Sequence, residues 1–77
     1  MNQTTRKMID DLSNQIDDVK GQIEDLANEE QDKFDNLPEG LQEGEKGQAI
    51  GEAADALFEA VSNLGAAIGD LEEAQGQ

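Results

Sequence analysis

The chain of 77 residues has no cysteine, no histidine, no tryptophan and no tyrosine. Each absence removes a class of chemistry. Without cysteine there is no disulfide and no thiolate metal site. Without histidine the usual imidazole ligand for zinc, copper or haem iron is missing, and so is the usual base beside a serine or threonine nucleophile. Positive charge is scarce: five Lys and Arg stand against 19 Asp and Glu, a net charge of −14. Nucleic-acid backbones and anionic membrane surfaces are recognised by clustered Lys and Arg, so this field repels both. No apolar run approaches the ~20 residues of a membrane-spanning helix. Arg6 and Lys7 are not followed by the apolar stretch of a secretory signal. The expectation is a cytoplasmic protein with no direct contact to nucleic acid or membrane. A chain this short seldom builds a sufficient core alone, and with disulfides excluded, self-association is the remaining staple.

What the sequence does have is periodicity. With Ile9 at heptad position a, Leu12 falls at d, Ile16 at a, Val19 at d, Ile23 at a and Leu26 at d. The alternating spacing of three and four is the pattern of a helix that lays a narrow stripe against another helix. A second periodic segment carries Leu57, Leu64 and Leu71 with Ala54, Val61 and Ile68, and repeats alanine at positions 53, 60, 67 and 74. Its apolar stripe is wider, which suits a helix facing more than one neighbour. Gly65 and Gly69 are read in two ways, as small residues for close approach or as tolerated surface positions.

Residues 36–47 separate the segments. Pro38 disfavours helix at Leu37, and Gly40, Gly44 and Gly47 offer positions where positive φ is cheap. Asp35 or Asn36 is expected to cap a short turn starting at Pro38, with Leu37 and Leu41 tucked inward. The segments are matched in length: 9–35 and 48–74 each span roughly 40 Å as helix. One helical domain over 1–77 follows: helix 1 about 6–35, a Gly/Pro turn, and helix 2 about 48–74. The predicted fold is an all-α antiparallel helical hairpin, or coiled coil, assembling into a dimeric four-helix bundle or larger helical oligomer. A parallel coil through the first segment is the competing arrangement, because Ile at a with Leu or Val at d favours it. The predicted seam is Ile9, Leu12, Ile16, Val19, Ile23, Leu26, Leu57, Val61, Leu64, Ile68 and Leu71. Residues 1–5 and 75–77 are expected to fray.

Little here suits catalysis. The only hydroxyls are Thr4, Thr5, Ser13 and Ser62; the two serines sit off the seam and read as solvated helix surface. Carboxylates are abundant, but catalytic pairs need a cleft that separates their pKa values, and a two-helix hairpin offers none. The acidic stretch 32–45 does not follow the calcium-loop pattern, so neither metal nor cofactor is expected. The protein is expected not to be an enzyme.

The acids themselves are ordered. Asp10–Asp11, Asp17–Asp18 and Glu24–Asp25 recur every seven residues at b and c. One reading is a stripe that presents negative charge to a basic protein surface, in the manner of a phosphate backbone. The other is that outer coiled-coil positions must be polar, and acids keep them soluble. Phe34 and Phe58 read as packing residues, with a hot spot for a partner as the alternative.

The segment F-D-N-L-P-E-G-L-Q, residues 34–42, followed by E-x-G and an alanine- and leucine-rich acidic helix, resembles a group of small acidic helical proteins encoded by bacteriophages and prophages. The resemblance covers residues 30–74, including Leu37, Pro38, Leu41, Gln42 and Gly47, and implies a phage context within a host cytoplasm, with no site residues to carry over. In that context three functions compete: a structural or scaffold coiled coil; an inhibitor of a basic host protein, such as a defence or nucleic-acid-binding protein; and an oligomeric sponge that holds a small signalling nucleotide between subunits. The last needs cations, and Lys33 and Lys46 flank the turn.

Overall fold

Asn2 starts the first helix. Its side-chain oxygen accepts a hydrogen bond from the backbone N–H of Thr5 at 2.8 Å, which satisfies one of the free donors that every helix N-terminus carries. Helix α1 therefore runs Gln3–Asp35 in the computed structural model, which describes all of Met1–Gln77. Of the terminal residues expected to fray, Gln3, Thr4 and Thr5 follow that cap as helix, and Gln75 ends the last helix. At the other end of α1, Pro38 stops the helix. The Asn36 N–H still donates to Asp32 O at 3.0 Å and the Leu37 N–H to Phe34 O at 3.1 Å.

The turn is itself wound. Pro38 O accepts from the N–H groups of Leu41 (2.8 Å) and Gln42 (3.1 Å), giving a one-turn helix α2 at Glu39–Gln42. Neither Asp35 nor Asn36 caps it: Pro38 stands at its N-cap without a side-chain bond, and Asn36 ends α1 instead. Helix α3 then runs Glu45–Gln75, its first turn closed by Gln48 N–H donating to Gly44 O at 2.9 Å.

No residue in the chain has positive φ, so the turn glycines do not supply left-handed backbone. Gly47 supplies space. It is buried, and a Cβ built there would collide with the carbonyl oxygens of Leu41 and Gln42. Gln42 completes the turn. Its side-chain amide donates to Phe34 O at 3.1 Å, a carbonyl that already accepts from Leu37 N–H, and to Leu37 O at 3.2 Å, tying the turn to the end of α1. Leu37 is half-buried, whereas Leu41 faces outward.

These connections fold α1 and α3 into an antiparallel hairpin with extents of 58 × 16 × 12 Å, a single layer two helices wide. The register is visible at the glycines. A Cβ on Gly51 would lie 3.5 Å from the Phe34 ring, and one on Gly65 would lie 3.6 Å from Lys20 Cε. Arg6 and Gln75 border one shallow hollow at the open end. The same register sets Ala27 opposite Ala54 and Phe58. Large side chains on one helix thus meet small ones on the other, the interdigitation that close helix packing needs. Of the two glycines with open readings, Gly65 takes the Lys20 stem and Gly69 has nothing near it.

Close packing has a cost in core. With α3 labelled so that Ala54 is a and Leu57 is d, both helices face each other through a and e. Ala27 and Ala54 are fully enclosed, and no large side chain is. Ile9, Ile16 and Ile23 are half-buried, as are Leu57, Val61, Leu64, Ile68 and Leu71. The other part of the predicted seam lies differently: Leu12 is 50% exposed, Val19 47% and Leu26 50%. The reason is steric. Small residues at e and a draw the backbones together, and the line of closest approach rotates toward e, leaving d at the edge. Ser13, expected on the solvated surface, is an e residue and is buried in this contact, its hydroxyl unpartnered.

Candidate functional site

The d and g rows of both helices form one side of the hairpin. Leu12, Val19 and Leu26 of α1 are flanked at g by Met8, Gln15 and Gln22. From α3 come Leu57, Leu64 and Leu71 at d, with Ala53, Ala60, Ala67 and Ala74 at g. That the two helices share this side is shown by a hollow of about 250 Å³ between them, lined by Leu12, Gln15, Ile16, Val19 and Leu64. Over residues 8–26 and 50–74 these rows carry no charged residue, in a chain with 19 carboxylates. The face is roughly 28 Å long at 1.5 Å per residue and nearly 20 Å wide including side chains, on the order of 500 Å². An uncharged area of that size equals the largest apolar patches of ordinary monomers, which are often functional, and its exposed Leu12, Val19 and Leu26 are consistent with association.

The acids occupy other rows. Asp10, Asp11, Asp17, Asp18, Glu24 and Asp25 are all exposed. Their c positions lie on the far side of α1 from the α3 contact, and their b positions on the flank opposite the d row. They are unpaired with cations: the chain's one ion pair joins Lys33 Nζ to Glu30 Oε1 at 2.8 Å. The hydrogen bond that Lys33 donates to Glu30, and then that carboxylate's charge, raise the Lys33 pKa above its ordinary value.

The other cations are spread out. Lys20 lays its stem beside Gly65, with its Cε 3.6 Å from where a Cβ would stand there. Arg6 and Lys7 border the hollow at the open end together with Gln3, Thr4, Asp10 and Gln75, and Arg6 Nε is enclosed there without a partner. Lys33 is held by its own helix. No group of three carboxylate, histidine or cysteine side chains is placed to hold a metal ion, and no helix is long and apolar enough to cross a membrane.

No known protein family, curated protein or solved structure matches the chain. The surface is therefore read from its own residues. Sequence reasoning named its bulky members but missed the two rows as a unit, and missed Gln42 and Gly47 as the residues that shape the turn. The signal for the first was present: writing out d and g together shows a strip free of charge. The second needs the folded turn, since only there does Gln42 meet Phe34 O.

Proposed function

We propose that this protein is a non-enzymatic acidic coiled-coil interaction protein that works as a dimer of hairpins, a four-helix bundle closed through the d and g face. The observation that carries the reading is the uncharged face itself: Met8, Leu12, Val19 and Leu26 of α1 stand about half exposed on it, while Ala27 and Ala54 are the only apolar side chains fully enclosed within the hairpin. A monomer so poor in core gains most by covering that face. In the bundle each helix uses a and e for one neighbour and d and g for another, roughly a quarter-turn apart, as helices of a four-helix bundle do.

Dimerisation leaves the acidic rows outside, and we assign them the second contact, with a basic protein. The resemblance of residues 30–74 to phage-encoded acidic proteins supports a host defence or nucleic-acid-binding protein as that partner, and inhibition by occupying its basic surface as the effect.

Salt separates the two contacts. Two copies at −14 each repel, so raising salt should tighten self-association, whereas binding of a basic partner should weaken. Sedimentation across protein concentration tests the first; a stable, well-folded monomer at every concentration would refute it. Capture from a host lysate, repeated with Asp10, Asp11, Asp17 and Asp18 changed to Asn, tests the second. Binding that survives both the change and high salt reduces the stripe to a solvated surface. The sponge reading has one observation behind it, the unpartnered Arg6 Nε in the hollow that Lys7 also borders. An unshifted melting temperature with cyclic and linear nucleotides would count against it.

A further inference from the structure

The uncharged face fits a second copy of this chain: one feature allows a head-to-tail orientation and a second selects it. The first is the symmetry of its rows. Val19 lies midway between Leu12 and Leu26, and Leu64 midway between Leu57 and Leu71. Val19 and Leu64 border the same hollow, so both rows are centred at one level of the rod. A twofold axis across the rod at that level maps each row onto itself, Leu12 onto Leu26 and Leu57 onto Leu71. It also brings Gln15 within about one residue of Gln22 of the other copy, two neutral amides that each donate and accept.

The second feature is charge along the rod. Residues 27–52, the turn end, hold eight carboxylates and two lysines, net −6. Residues 1–11 and 69–77, the open end, hold five carboxylates against Arg6 and Lys7, net −3. Copies stacked with their turns together would place two −6 ends within about one helix diameter. Copies stacked head to tail hold those ends several screening lengths apart, since the Debye length is ~8 Å at physiological salt. The two apolar faces together would bury on the order of 1,000 Å², the threshold of a specific interface. A basic partner on this face would meet no carboxylate within it, which leaves a second copy as the matching occupant.

Resting on the dimer reading above, we infer that two hairpins pack these faces antiparallel, with Val19 on the twofold axis, α1 against α1 and α3 against α3, and the two turns at opposite ends of the bundle. The arrangement brings the acidic c rows of both copies to one flank.

The chain has no cysteine, so disulfide trapping reads the orientation without background. A disulfide needs Cβ atoms ~3.5–4.5 Å apart. Val19→Cys is expected to cross-link almost completely on mild oxidation. Leu12→Cys and Leu26→Cys are each expected to remain uncross-linked alone, because their copies stand ~21 Å apart along the axis, but to cross-link when the two variants are mixed. Self-cross-linking of Leu12→Cys would overturn the antiparallel arrangement. So would a Val19→Cys that resists cross-linking while a Val19→Cys and Leu64→Cys mixture traps, the mark of turns placed together. Sedimentation of the reduced variants keeps the two readings apart: a dimer with the wrong cross-links overturns the orientation alone, and a monomer overturns the dimer as well.

Discussion

The same two helices make two long faces, and they differ in how far one chain completes them. The a and e face is closed. Ala27 and Ala54 are enclosed there, and Gly51 and Gly65 receive the Phe34 ring and the Lys20 stem. The d and g face is open, with Leu12, Val19 and Leu26 about half exposed. The closed face sets Ser13, Ala27, Gly51, Ala54 and Gly65 at its closest approach, and its larger a residues, Ile9, Ile16, Ile23, Val61 and Ile68, are only half-buried, so it encloses little apolar area completely. The energy available from a fully buried Leu or Val side chain, about 1.5–3 kcal/mol each, lies mostly on the open face. Local geometry is thus fixed within the chain, while stability depends on what covers the other side, and should rise with protein concentration.

Breaking the open face should have the largest effect. Leu64→Asp sets a carboxylate in the hollow between the helices, where a dimer leaves it buried and unpaired. It should cost about 3 kcal/mol or more, read as loss of the dimer by sedimentation and of concentration-dependent melting. A melting curve that matches the wild type would refute the role of that face. On the closed side, Gly47→Ala should cost roughly 2–3 kcal/mol, because its methyl group meets backbone rather than a movable side chain. Chemical denaturation measures this, and a loss below half that value would mean that the turn yields easily. Gln42→Ala removes two bonds to the end of α1 and should cost about 1–2 kcal/mol, with faster amide exchange around residues 34–48.

Smaller effects sharpen the comparison. Gly69→Ala meets open space and should stabilise by roughly 0.5–1 kcal/mol through helix propensity alone. Gly65→Ala should gain less, because its methyl group comes into contact with the Lys20 stem; equal gains at both positions would mean that the stem does not lie there. The smallest expected change is Lys33→Met. The raised Lys33 pKa means that its pairing with Glu30 contributes below the ordinary lysine value and fades as pH rises through the folded one. Between pH 6 and 9 the contribution is therefore flat, and on a fully solvated side chain it is small. An unchanged melting temperature across that range is the expected outcome.

Much of this was legible beforehand, for identifiable reasons. The two helices follow from the repeats at Ile9 through Leu26 and Leu57 through Leu71, and the break follows from Pro38, whose ring excludes helix from the residue before it. The acidic stripe was legible as a stripe because b and c recur with the heptad. Which apolar row faces inward was not. The repeat marks a and d equally, and the choice between d and e rests on how closely two backbones approach, a property of both helices together. Ser13 illustrates it: hydroxyl character suggested solvent, but small size at e placed it in the contact. The turn glycines show the same limit, since the sequence marks where backbone freedom is available and not whether space or φ uses it.

By itself, then, the sequence determined two long helices, one break between them, and the excess of negative charge on their outer rows, because propensity, proline sterics and heptad spacing act within a few residues. Tertiary structure alone decided the a and e contact, the seating of Gly47 under two carbonyls, the latch by Gln42 and the exposure of Leu12, Val19 and Leu26. These depend on distances between residues far apart in the chain, which only the packed hairpin sets.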